Sequence, residues 1–220
     1  MPIRAVVFDI GGVLEIAPHG GREPTAGFPA MTARWDTRLQ LGPGELDRRL
    51  TELGQRLASI GKDGALGTLT EAEWRAELQV ATGMDDAQTD IFLDDFWNVY
   101  LGELNVELAD YFAGLRPRYR TALLSNSFIG ARERECGRYR FDEMCDLIIY
   151  SHEVGIAKPD PRIYELTCQR LSLQPAEIVF LDDAERCVAG AHDAGLHTIL
   201  YRDTAQAIAD LDACLRANGV

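Results

Sequence analysis

The sequence predicts an α/β protein: a doubly wound parallel sheet with helices on both faces, interrupted near its start by a helical insert. Three observations carry this. Five short runs are apolar throughout instead of alternating, the pattern of parallel strands buried on both faces. Helical stretches separate the later runs. Between residues 16 and 104 the rhythm breaks, with several helical patterns and no convincing strand.

The first run is Ala5-Val6-Val7-Phe8. Within the insert, residues 31–41, 45–58 and 86–100 read as helices, and Thr70-Glu71-Ala72-Glu73 has capping-box spacing ahead of a helix reaching about Ala81. Gly20-Gly21 and Gly102 stand near its borders as candidate hinges. The remaining runs are Thr121-Ala122-Leu123-Leu124, Leu147-Ile148-Ile149-Tyr150, Ile178-Val179-Phe180-Leu181 and His197-Thr198-Ile199-Leu200-Tyr201. Asp160-Pro161 supplies an N-cap and a first-turn proline for a helix ending near Leu171. Residues 184–194 read as helical, with Gly195 placed to end the helix, and 204–217 as a last helix. The expected division is a core of residues 1–15 and 105–220 and a small helical cap of residues 16–104.

Acidic residues number 35 against 22 basic ones, a formal charge of −13. That argues against nucleic acid as a partner, since counterion displacement needs a basic surface, and against an anionic membrane surface. A phosphorylated small molecule stays compatible, because a pocket can be locally positive on an acidic protein. With 46% hydrophobic and 26% charged residues the chain has the composition of a folded globular protein, not of a disordered one. Its apolar runs fall far short of the roughly 20 residues of a membrane span. Met-Pro-Ile-Arg leads straight into the first strand, so no signal peptide is expected. The five cysteines are odd in number and lack a C-x-x-C pair. They are expected to be reduced thiols, which suits a cytoplasmic setting. A monomer or a homodimer fits equally.

Open α/β sheets bind ligands beyond the carboxyl ends of their strands. Asp9-Ile10-Gly11-Gly12 follows the first strand and puts a carboxylate at the sheet mouth beside glycines suited to a tight turn. Ser125-Asn126-Ser127 ends the second and offers hydroxyl, amide and backbone N–H groups to a phosphate. Lys158 lies in Gly155-Ile156-Ala157-Lys158-Pro159-Asp160-Pro161, where it can neutralise a phosphate or a carboxylate nucleophile. Asp182-Asp183 ends the fourth strand, and with Asp9 offers hard oxygen ligands suited to Mg²⁺. Singly, each reads better as an ordinary turn, capping or solvated residue. Together, at successive strand ends, they point to one site with a nucleophile, a phosphate-binding hydroxyl, a lysine and a metal pair.

These stretches resemble the haloacid dehalogenase-like hydrolases. The likeness rests on Val7-Phe8-Asp9-Ile10-Gly11-Gly12-Val13-Leu14, on Leu124-Ser125-Asn126, on the glycine-x-x-lysine-proline-aspartate stretch followed by Ile163-Tyr164, and on Phe180-Leu181-Asp182-Asp183. It covers about residues 1–15 and 105–203. The resemblance implies a Rossmann-like core under a mobile helical cap, and a Mg²⁺-dependent hydrolase, a phosphatase of a small phosphorylated metabolite. It implies Asp9 as the nucleophile that forms an aspartyl-phosphate, with Ser125, Asn126 and Lys158 on the phosphoryl group. Asp9, Asp182, Asp183 and the Gly11 carbonyl would hold the metal, with Asp183 acting through water or pairing with Lys158.

The family's phosphatases carry a second aspartate, the general acid and base, where this chain has Gly11. The expectation is a phosphatase that is slow, or favours substrates with good leaving groups, or recruits another base, for which Glu15 and His19 are candidates. Two alternatives follow: a 2-haloacid dehalogenase holding its substrate with Arg22, Arg34 or Arg38, or a degenerate protein that binds a phospho-ligand without turnover. The paired Asp182-Asp183 and the small Gly11 depart from the dehalogenase pattern. Cys187 reads as a buried helix thiol, Trp97 with Phe92, Leu93 and Phe96 as helix core, and Trp35 between Arg34 and Arg38 as either a pocket wall or part of a solvated face.

Overall fold

A computed structural model describes residues 1–16 and 28–218. The chain runs β1 (Ala5–Phe8), β2 (Glu15–Ile16), α1 (Phe28–Arg38), α2 (Glu45–Ser59), α3 (Glu71–Thr82), α4 (Asp86–Leu101), β3 (Glu103–Leu104), α5 (Val106–Gly114), β4 (Arg120–Ser125), α6 (Ala131–Tyr139), α7 (Phe141–Met144), β5 (Leu147–Tyr150), α8 (Ser151–Val154), α9 (Pro161–Leu171), β6 (Ile178–Asp182), α10 (Glu185–Asp193), β7 (His197–Leu200) and α11 (Thr204–Asn218).

The five apolar runs form one parallel sheet in the order β5-β4-β1-β6-β7. β1 is central, with Phe8 level with Leu123 on one side and Leu181 on the other. Both faces are covered, which is why the runs do not alternate. Val6, Phe8, Leu123, Val179 and Leu181 pack one way with Phe112 and Leu211; Val7, Leu124, Ile149 and Phe180 pack the other way with Tyr164 and Leu171. The order β4-β1-β6 brings the ends of three strands side by side, so that residues 9, 125 and 182 meet at one mouth.

Helices α1–α4 lie between β2 and β3 and enclose a core of their own that includes Met31, Trp35, Leu53, Leu78 and Phe92. Thr70 and Asp85 both form reciprocal capping boxes, with Glu73 and Gln88. β2 and β3 pair antiparallel, Glu15 opposite Leu104, so the insert leaves and rejoins the sheet through a short ribbon absent from the sequence-based expectation. Gly102, at the end of α4, has φ 58° and ψ −140°; Gly20-Gly21 lie outside the described residues.

The insert is seated on the sheet domain. Ile129 N–H donates to Gly64 O (3.0 Å) and Ser151 Oγ to Ala65 O (2.8 Å). Arg134 reaches Glu71 (2.7 Å) while its guanidinium lies 4.1 Å over the Trp97 ring. No helix among the described residues is long and apolar enough to cross a membrane, and all five cysteines are free, Cys187 buried in α10 as expected.

Candidate active site

β1 delivers Asp9 to the mouth, its N–H donating to Leu181 O (2.9 Å). A tight turn follows, in which Val13, Leu14 and Glu15 N–H groups converge on Ile10 O and Gly12 N–H donates to Glu15 O. Gly12 sits at φ +79°, and a Cβ there would collide with the Asp183 carboxylate. Backbone conformation and space together require glycine.

Lys158 is 3% exposed, and its ammonium has three acceptors for its three protons: Leu124 O (2.8 Å), Asp182 Oδ2 (2.7 Å) and Asp9 Oδ1 (2.7 Å). Asp9 Oδ1 also accepts from Ile10 N–H, and Asp182 Oδ1 from Ala184 N–H, both at 2.8 Å. Lys158 thus pairs with Asp182, and not with Asp183, for which such a pair is one of two roles expected on sequence. The reason is positional: Asp182 still belongs to β6 and points with Asp9, whereas Asp183 has turned out of the strand and is half-buried.

Asp9, Asp182 and Asp183 bring one carboxylate oxygen each within 4.8 Å of one another. Three carboxylates against one ammonium leave two negative charges when all are ionised. Burial, opposed by Lys158, holds Asp9 well above the usual carboxylate range, and burial followed by the Asp182 charge raises Asp183. Burial alone would lower Lys158, but the charges of Asp9 and Asp182 overcome it and hold the amine protonated. Such a hard, electron-rich oxygen set fits a divalent cation.

Ser125 is buried at the end of β4 beside this cluster. It caps no helix, since α6 begins after Gly130. Asn126 uses its side chain on the Lys158 backbone. The neighbouring Ser127 pairs with His152 Nδ1 (2.7 Å).

Glu15, a candidate base on sequence, belongs to a second buried acidic pair whose other member, Glu135, sequence reasoning missed. Glu15 is 3% exposed, and its Oε1 is buried without a hydrogen-bond partner. Burial, then the charges of Glu135 and Asp9, raise its carboxyl well above the ordinary range. Glu135, on α6, accepts from Tyr150 OH (2.6 Å) and is pushed up to about 7 by burial. Nothing in the charged stretch Glu133-Arg134-Glu135 marks its last residue as the buried one.

The candidates for anion binding in the insert fare differently. Trp35 is 1% exposed and donates to Asp95 (2.8 Å), within the core of the insert; Arg38 covers its ring at 4.6 Å. Arg34 and Arg38 are exposed. His19 and Arg22 lie outside the described residues.

A family model described as haloacid dehalogenase-like hydrolase matches residues 3–195. Bifunctional epoxide hydrolase 2 of Sus scrofa is 28% identical over 235 residues, 96% of this chain; the chain spans only 39% of that relative's length. D-ribitol-5-phosphate phosphatase of Bacteroides thetaiotaomicron is 25% identical over 202 residues, covering 89% of this chain and 90% of that protein. Among solved structures, a HAD family enzyme from Bacteroides thetaiotaomicron in complex with magnesium and inorganic phosphate superposes with a TM-score of 0.67 at 23% identity, covering 91% of this chain and 94% of that one. That likeness concerns the fold.

Proposed function

The chain belongs to the haloacid dehalogenase-like hydrolase family, and we propose that within it the protein is a Mg²⁺-dependent phosphatase of a small phosphorylated metabolite. The observation that carries this is the Lys158 ammonium, 2.7 Å from both Asp9 and Asp182 with Asp183 in the same cluster. A carboxylate nucleophile, a fixed cation and a surplus of hard oxygen ligands stand at one mouth. Support also comes from the D-ribitol-5-phosphate phosphatase, matched over nine-tenths of its length.

Asp9 is the nucleophile. Its free oxygen attacks phosphorus as the ester P–O bond breaks, giving an aspartyl-phosphate and an alkoxide leaving group that takes up a proton. Water then attacks phosphorus, releases inorganic phosphate and restores the Asp9 carboxylate. Lys158 offsets charge between Asp9 and the phosphoryl oxygens, and Ser125 holds the phosphoryl group. Asp9, Asp182, Asp183 and the Gly11 carbonyl would hold Mg²⁺, which supplies charge neutralisation to the phosphoryl oxygens. Helices α1–α4, as the insert seated on the sheet domain, would serve to exclude water from the mouth.

Gly11 has no proton to give. General acid–base catalysis contributes about 10²–10⁴-fold, so turnover is slow on ordinary esters and faster where the leaving group is good. The missing aspartate, though not the small glycine or the paired Asp182-Asp183, also suits a second reading, displacement of halide from a 2-haloacid by Asp9, which needs no proton carrier at that position.

A phosphate-release screen over phosphorylated metabolites, with Mg²⁺ and with chelator and beside Asp9→Asn, tests the assignment. Turnover that needs both the metal and Asp9 is expected. Asp9→Asn turning over at the wild-type rate would remove Asp9 as nucleophile. Silence on phosphates with halide release from 2-haloacids would establish the second reading.

A further inference from the structure

Asn126 belongs, on sequence, with the groups that touch substrate. Its side chain is engaged elsewhere. Nδ2 donates to Lys158 O (2.9 Å) and Oδ1 accepts from Lys158 N–H (2.7 Å), so one amide closes a ring on both main-chain groups of a single residue. Among the described residues neither of those main-chain groups has another partner. The rest of the stretch is held at its start by Gly155 N–H on Ser151 O (2.8 Å) and within itself by Asp160 N–H on Ala157 O (3.0 Å).

The other end of the lysine is held by the same strand. Nζ donates to Leu124 O (2.8 Å), two residues before Asn126, while its remaining protons go to Asp9 and Asp182. The end of β4 therefore grips Lys158 at its backbone and at its ammonium. A flexible four-carbon stem spans the two grips. An ammonium that must sit 2.7 Å from two carboxylates on two different strands tolerates little drift of its Cα.

We infer that Asn126 is a positioning residue: its side-chain amide clamps the Lys158 main chain so that Nζ reaches Asp9 and Asp182 together. This rests on the phosphatase reading for its kinetic consequence, but not for its structural one. Two hydrogen bonds of ordinary net strength bias the clamped state by about 10- to 30-fold.

The chain has two lysines, Lys62 and Lys158, which makes the test direct. Lys62 is half-exposed and paired with Glu73 (2.7 Å), so it serves as an internal reference. Amine acetylation with acetic anhydride at limiting reagent, read by mass spectrometry, gives the labelling of Lys158 relative to Lys62. Asn126→Ala should raise that ratio by about 10- to 30-fold with the circular dichroism unchanged. Asn126→Asp keeps the acceptor for the Lys158 N–H and loses the donor to its carbonyl; it should fall between, and it carries the test should the alanine variant fail to fold.

Kinetics on the best phosphate ester complete it. A kcat lowered tenfold or more in Asn126→Ala, with KM within about twofold, fits a residue that acts through Lys158. An unchanged labelling ratio in both variants overturns the clamp, as does a raised KM with unchanged kcat, the mark of a direct substrate ligand. If the wild type releases no phosphate from any ester, the functional reading fails while the labelling ratio still decides the clamp.

Discussion

Replacing Glu135 by Gln should stabilise the protein in mild alkali and progressively less so towards acid. The carboxyl is 1% exposed, and burial moves it from 4.5 to about 7. Between those values the unfolded chain has released its proton and the folded chain has not. The stability associated with the protonated carboxyl is thus complete below pH 4.5 and lost as pH rises through about 7. At 1.36 kcal/mol per pH unit the full loss is about 3 kcal/mol by pH 8, and less than half of that at pH 5.5. Gln keeps an acceptor for the Tyr150 hydroxyl and nearly the same volume, and does not titrate. It also relieves Glu15, which burial raises first and the Glu135 charge raises further. The variant should gain up to about 3 kcal/mol at pH 8, which is roughly 6–12 °C in Tm for a chain of this size. Urea unfolding followed by tryptophan fluorescence at pH 5.5 and pH 8 is the assay. A gain of equal size at both pH values, or none at pH 8, would refute a buried proton on Glu135.

Two further substitutions probe the mouth. Gly11→Asp supplies the missing proton carrier and should raise Mg²⁺-dependent phosphate release tenfold or more; no change in a folded, metal-binding variant would mean that another group carries the proton, Glu15 being the buried acid of the same turn. Gly12→Ala forces a side chain into a φ of +79° against the Asp183 carboxylate. It should lower stability by about 1–3 kcal/mol and weaken Mg²⁺ activation, and an unchanged urea midpoint with unchanged metal dependence would refute the tight turn.

The parts legible in the sequence share a physical cause. Ala5–Phe8 and Leu147–Tyr150 have the predicted bounds because parallel strands covered on both faces leave no polar position to blur the run. Pro161–Leu171 starts where predicted because Asp160 caps it and Pro161 opens its first turn. The β2–β3 ribbon escaped because two residues per strand carry no period, and one of them is Glu15. The helix α6 escaped because five of the nine residues of its sequence, Ala-Arg-Glu-Arg-Glu-Cys-Gly-Arg-Tyr, are charged, and only tertiary packing decides that Glu135 turns inward. Trp35 defeated prediction for a related reason. Arg38 lies one turn on and covers the ring, so the same spacing serves a solvated face and a buried core.

At the mouth, sequence order was enough to collect Asp9, Ser125, Lys158 and Asp182, since a β4-β1-β6 order makes successive motifs spatial neighbours. Which atom meets which was not readable, because Asp182 and Asp183 differ only in whether the strand has ended. That difference has an electrostatic consequence for the proposed reaction. Lys158 has all three protons committed to Asp9, Asp182 and Leu124 O, so it cannot turn towards a phosphate without loosening one of them. The chain carries a formal charge of −13 and its mouth holds three carboxylates against that one ammonium. A phosphate dianion entering such a mouth meets net repulsion. On the proposed reading the divalent cation is therefore required for phosphate to bind as well as to react, and the lysine, which lets two buried aspartates stand side by side, offsets phosphoryl charge only by loosening one of these contacts.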